Sequence, residues 1–120
     1  MLKIKPVRVQ RSRQTKQISP NGLPIVYCGR GISSKWGNHY IVIPEDNKYY
    51  VSNHGFFVAG PYKTKKRATL KAISCFRWRQ LPNLRLIYDI KKELGGKNLS
   101  CFCALDQPCH VDILLKEANK

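Results

Sequence analysis

An α/β fold, one compact domain with a small mixed β-sheet and about three helices, is predicted for this 120-residue chain by three observations. Short β-branched runs such as Ile25-Val26-Tyr27 alternate with segments whose apolar residues recur every three to four positions. Turn signals, among them Pro20-Asn21-Gly22 and Gly95-Gly96, separate the two kinds of segment. Hydrophobic residues at 42% and charged residues at 24% are a globular balance, enough for one core spanning residues 1–120.

Taken in order, Pro6 to Gln10 alternates as a short strand, and residues 11–22 read as a mobile basic loop. Ile25 to Cys28 is a buried strand that ends at Gly29-Arg30-Gly31. Tyr40 to Ile43 and Tyr49 to Val51 form a hairpin around Pro44 to Asn47, with Gly55 to Val58 as a third member. A helix from Thr64 to about Arg79 sets Ala68, Thr69, Ala72, Ile73 and Phe76 on one face. Lys63, Lys66, Arg67, Lys71, Ser74, Arg77 and Trp78 fall on the other. Leu84, Ile87, Ile90 and Leu94 form the core side of a second helix, stopped by Gly95-Gly96. Leu99 to Cys103 alternates as a strand with Leu99, Cys101 and Cys103 on one face. Pro108 suits the first position of a last helix packed through Val111, Leu114, Leu115 and Ala118.

Charge carries the clearest statement about partners. The chain holds 22 Lys plus Arg against 7 Asp plus Glu, a formal net charge of +15. No carboxylate precedes Glu45, and a second acid-free stretch runs from Asn47 to Tyr88. Such clustering opposes compaction and favours a polyanion, nucleic acid above all, although a basic solvated surface has the same composition. Arg8, Arg11, Arg13, Lys66, Arg67 and Lys71 are the candidates for backbone phosphates, with Trp78 stacking on a base or tucking against a neighbouring element. No apolar run approaches the ~18 residues a bilayer span needs, and the first residues lack a secretory signal's apolar stretch, so a cytoplasmic protein without membrane contact is expected. Cys28, Cys75, Cys101, Cys103 and Cys109 are odd in number and unlike a secreted framework, which predicts free thiols.

Two constellations concentrate the chemistry. Cys101, Cys103, Cys109 and His110 lie within ten residues and match zinc in type and number, though Cys-x-Cys with an adjoining Cys-His pair is not the common knuckle spacing. No cofactor is favoured on this ground; zinc is the one the set would take. The same segment supports nucleophilic chemistry by Cys103 or Cys109, with His110 as base and Asp112 orienting it, or plain packing at a strand-to-helix junction. The second constellation is the loop from Gly29 to His39, where Arg30, Ser34, Lys35 and Asn38 would hold a phosphate beside close-approaching glycines. It follows a strand, where open α/β sheets bind ligands, but it contains neither a Walker loop nor a dinucleotide fingerprint, and Gly37-Asn38 also suits a turn.

The runs Val26 to Gly31, Ser34 to Asn38, Gly95 to Cys103 and Pro108 to Leu115 resemble the family called domain of unknown function 4326, small proteins of bacteria and phages. The resemblance covers roughly Val7 to Tyr40 and Gly96 to Ala118. His39 stands where the family pattern has Pro, and Ile32-Ser33 lengthen the loop. The resemblance implies a fold and candidate residues but no reaction, and makes the Gly29 to Asn38 loop and the Cys101 to Asp112 segment two walls of one site. Together these readings predict a small basic protein, phage-type by resemblance, that binds a phosphate-bearing ligand, most readily nucleic acid. An enzyme acting on a nucleotide or nucleotide-derived signal is the second expectation, and an inhibitor of a host protein partner is the third. For a phage-encoded chain the compartment would be the host cytoplasm.

Overall fold

The computed structural model of the protein describes residues 4–12, 18–30 and 35–120. In chain order the elements are β1 (Arg8–Gln10), β2 (Ile25–Tyr27), β3 (Tyr40–Glu45), β4 (Lys48–Asn53), β5 (Phe56–Tyr62), α1 (Lys65–Cys75), α2 (Leu84–Leu94), β6 (Asn98–Cys101) and α3 (His110–Ala118). They group into two compact units, Met1–Gly37 with Asn83–Lys120, and Asn38–Pro82. The fold is α/β, with parallel and antiparallel strand pairs and three α-helices; the two kinds of pairing occupy separate three-stranded sheets.

In the first unit β6 runs parallel to both β1 and β2, in the order β1-β6-β2, with Val9 opposite Ser100 and Val26 opposite Leu99. A central parallel strand is covered on both faces, so its residues need to be small or apolar throughout. Asn98, Leu99, Ser100 and Cys101 are accordingly all buried, and the strand stops at Cys101, two residues short of the expected end. Asn98 earns its buried amide by linking three segments. Its Oδ1 accepts from the Val7 amide at 3.0 Å, and its Nδ2 donates to Asn21 Oδ1 at 2.8 Å and to Ser19 Oγ at 3.3 Å. Thus Ser19 and Asn21, in the stretch expected to be a mobile loop, are tied to the central strand; residues 13–17 of that stretch lie outside the described residues.

Helix α2 begins where Asn83 accepts from the Arg85 and Leu86 amides, the side-chain cap that an Asn supplies before a helix. Ile90 and Leu94 are buried, but Leu84 is 88% exposed, so the expected core face starts a turn later than the periodicity suggested. In α3, Val111, Leu114 and Ala118 are buried as expected. Its cap is Cys109, in extended conformation, so Pro108 precedes the helix and does not open it.

The second unit is a β3-β4-β5 meander. Its first turn uses Asp46 and Asn47 at φ 50° and 61°, the left-handed pair that a two-residue hairpin turn requires. Helix α1 packs on one face of this sheet, where Tyr40 and Val51 meet Ala68, Ala72 and Cys75. Thr64 caps it by accepting from the Arg67 amide at 3.2 Å. The helix continues into a π-helical turn, Phe76–Gln80, closed by the Leu81 amide on the Phe76 carbonyl at 2.8 Å.

Candidate metal centre

The carboxyl ends of β1, β6 and β2 point the same way, so the residues following them share one edge: Arg11 after β1, Phe102 and Cys103 after β6, Cys28 and Arg30 after β2. This is the edge at which open parallel sheets bind ligands. Directly on it the Sγ atoms of Cys101, Cys103 and Cys109 converge to within 4.8 Å of one another. Cys101 ends the central strand, Cys103 lies in the bend beyond it, and Cys109 returns as the cap of α3. The Cys101 and Cys109 sulfurs are 3.2 Å apart, in contact but not bonded.

His110 is placed by two main-chain oxygens. Its Nε2 lies 2.8 Å from the Cys28 carbonyl and 3.0 Å from the Trp36 carbonyl. Carbonyls only accept, so Nε2 carries the proton and donates to both. Burial lowers the imidazole pKa, outweighing the two carbonyl bonds that raise it, so the ring is neutral at pH 7 and Nδ1 keeps its lone pair. Nδ1 faces Cys109 Sγ at 3.8 Å. A ring fixed by backbone carbonyls through one nitrogen leaves the other beside the Cys109 sulfur, while the group of ligand atoms lying within 4.8 Å of one another consists of the three sulfurs.

The thiols divide by environment. Hydrogen bonds from Cys101 and Cys109 lower the Cys103 pKa to about 2, with the Arg8 charge adding to the effect, so the negative charge rests on the exposed member of the trio. Those same bonds, Cys101 first, raise the pKa of Cys109, and the bond to Cys103 is the largest cause raising that of Cys101. Cys28, buried beside the trio, is pushed up to about 12, chiefly by burial.

Arg8 closes the loop between the cysteines from behind. Its Nη1 donates to Asp112 Oδ2 at 2.9 Å, and its Nη2 donates to the carbonyls of Ala104, Leu105 and Gln107 at 2.9, 2.7 and 2.9 Å. The Arg8 side chain is 7% exposed and its guanidinium is engaged in these bonds within the fold, where the charge pattern pointed to a backbone phosphate. Asp112 is likewise engaged by Arg8 and does not orient His110, whose Nε2 is held by carbonyls. Arg11 stays exposed, its guanidinium 4.9 Å from the Tyr27 ring centroid and 5.9 Å from that of Phe102. Tyr27 and Phe102 meet edge to face at 5.8 Å. This aromatic pair was not singled out in the sequence, although Phe102 sits between the two cysteines.

In the predicted phosphate loop, Arg30 is exposed at the sheet edge and Tyr27 Oη donates to its carbonyl at 2.7 Å. A Cβ on Gly37 would come within 3.1 Å of Arg30 Cα and the Gly29 carbonyl, a crowded contact where the two ends of the loop meet that glycine avoids. His110 holds both ends through Cys28 and Trp36, which brings loop and cysteine segment together. Lys35 pairs with Glu93 and lies 4.0 Å from Asp89. Asn38, in the other unit, donates to the Ala72 carbonyl at 3.1 Å and accepts from the Tyr40 amide at 2.9 Å, so its amide serves the fold. Ser34 and Arg13 lie outside the described residues. Lys66, Arg67 and Trp78 are exposed on α1 and the π-turn, and Lys71 is half-buried.

Fold and site together define a small α/β domain with a thiol cluster, geometrically compatible with a metal ion, on the carboxyl edge of a parallel sheet. The family model of a domain of unknown function (DUF4326) matches residues 7–120, and the chain belongs to that family. The searches of curated proteins and of solved structures found no match. Among the described residues no helix is long and apolar enough to cross a membrane.

Proposed function

We propose that the protein binds zinc through Cys101, Cys103 and Cys109 with His110 Nδ1 as fourth donor, and that this centre secures a site for a nucleotide or similar phosphate-bearing ligand on the adjoining sheet edge. The observation that carries the reading is the convergence of three sulfurs within 4.8 Å. Tetrahedral zinc with Zn–S bonds of about 2.3 Å separates its sulfurs by about 3.8 Å. The 3.2 Å between Cys101 and Cys109 needs only a small opening to reach that edge; His110 Nδ1 is 3.8 Å from Cys109 Sγ but outside the 4.8 Å cluster, so the imidazole would have to move towards the other two sulfurs to complete the shell. Three thiolates with one imidazole suit zinc over harder cations. The ion would join the end of β6 to the start of α3 across the loop that Arg8 holds. Beside it Arg11 and Arg30 offer positive charge, and Tyr27 with Phe102 a flat apolar surface, the parts a nucleotide needs.

Elemental analysis of the purified chain tests the metal: about one zinc per chain, lost in Cys109→Ala, with a melting temperature lowered by a strong chelator. A chain that purifies without metal, takes up none when zinc is added, and melts identically with and without chelator contradicts it.

A second reading, an enzyme, is favoured by one observation. Cys103 is exposed and its thiolate is stabilised, as a nucleophile requires. The two readings separate by alkylation: a free Cys103 reacts with iodoacetamide rapidly even at pH 6, whereas a zinc-bound one is protected until chelator is added.

A further inference from the structure

The second unit carries a feature that the cysteine centre does not use. Helix α1 and its π-turn hold Lys65, Lys66, Arg67, Lys71, Arg77 and Arg79, and from Asn47 to Tyr88 the chain has no carboxylate. Among the described residues none of these six cations makes an ion pair. Helix faces normally intersperse both signs, because like charges three and four residues apart destabilise the helix they sit on. This one leaves its repulsion uncompensated. The buried side of α1 is already occupied by Ala68, Ala72 and Cys75 against the sheet, which leaves Lys66, Arg67, Leu70 and Trp78 exposed on the outward side with Lys71 half-buried among them.

That stripe is also not purely charged. Trp78 is 69% exposed and Leu70 is 48% exposed, and the Arg77 guanidinium lies 5.1 Å from the Trp78 ring centroid. Flat apolar groups interleaved with cations match a strand whose bases are unstacked: the cations meet phosphates while the indole stacks on a base, a contact that every base can make. In a duplex the bases are already stacked on one another, and an exposed indole meets only groove edges and phosphates.

We infer that the outward face of α1 and its π-turn, built from Lys66, Arg67, Lys71, Arg77 and Trp78, is a binding surface for single-stranded nucleic acid. The cations give affinity without sequence preference, and Trp78 gives the preference for unpaired bases. This surface is independent of the zinc reading, since none of its residues belongs to the thiol cluster.

The test is fluorescence anisotropy of the full chain with a labelled mixed-sequence single strand and with a hairpin duplex of the same length, at several salt concentrations. The triple variant Lys66→Gln, Arg67→Gln, Lys71→Gln is compared with Lys91→Gln, Lys92→Gln, Lys116→Gln, which lowers the net charge equally on α2 and α3. The α1 variant should lose at least tenfold in affinity and flatten the dependence of log K on log salt by about two, as expected for three lost phosphate contacts. The control triple should lose far less. Trp78→Ala should weaken the single strand roughly tenfold, the scale of one lost stacking contact. Trp78→Phe should retain most of the affinity, and the duplex should bind more weakly throughout. Equal losses in the two triples would overturn the surface, by showing a diffuse charge effect. A duplex bound as tightly as the strand, or an unaffected Trp78→Ala variant, would overturn the stacking role and with it the single-strand assignment.

Discussion

At the scale of single residues, the two side chains that organise the centre are Arg8 and His110, and each does so through main-chain oxygens. Arg8 meets three carbonyls and one carboxylate from a nearly buried position. Hydrogen bonds from charged donors contribute about 1.5–3 kcal/mol each when their loss leaves the acceptors stranded, but most of these acceptors retain access to water, so Arg8→Ala should cost about 2–3 kcal/mol in a urea unfolding experiment. Asp112→Asn should cost under about 1 kcal/mol, because that carboxylate is 57% exposed and its charge is screened. His110 gives a prediction with a definite sign. Its folded pKa is lowered by burial, so below about 6.5, the ordinary histidine value, the unfolded chain binds a proton that the folded chain refuses. Stability is therefore complete above that pH and falls as the pH drops through it. The urea midpoint of metal-free protein should decrease from pH 7.5 to 5.5, with a smaller decrease in His110→Gln. The residue types of the centre were legible in the sequence, since Cys101, Cys103, Cys109 and His110 were singled out by density alone. The roles of Arg8 and Asn38 were not, because charge and periodicity say nothing about which distant carbonyl a side chain will find.

At the scale of elements, periodicity located every helix and most strands, and failed where an element's surroundings override its pattern. The α2 pattern starts at Leu84, yet the helix turns that residue outward and buries Ile90 and Leu94 instead. Leu84→Ala should change stability by less than about 0.5 kcal/mol, as surface substitutions do. Ile90→Ala should cost about 2–5 kcal/mol, because it opens a cavity in a packed core. The contrast between the two, read from urea midpoints, checks the orientation of the helix. β6 departs from its pattern for a different reason: as the middle strand of a parallel sheet it buries both faces, so the alternation of Leu99, Ser100 and Cys101 carries no inside and outside. Pro108 was a fair signal for a helix start, but Cys109 is the residue that turns the chain, bringing its sulfur to Cys101.

At the scale of the whole molecule, one unit carries a thiol cluster beside a sheet edge, and the other carries a cationic helix that makes no ion pair among the described residues. The α/β class and its three helices followed from the alternation of β-branched and amphipathic segments. The division into a parallel and an antiparallel sheet did not, because strand pairing depends on which segments meet and not on their local pattern. Net charge of +15 makes any binding of polyanions steeply salt-dependent, but a total does not say which face binds. The central claim is the metal, and zinc-edge X-ray absorption on the purified, zinc-replete chain tests it most directly. The account predicts a first shell of three sulfurs at about 2.3 Å and one nitrogen at about 2.0–2.1 Å. A shell of oxygen ligands, or no zinc retained after gel filtration, would contradict it.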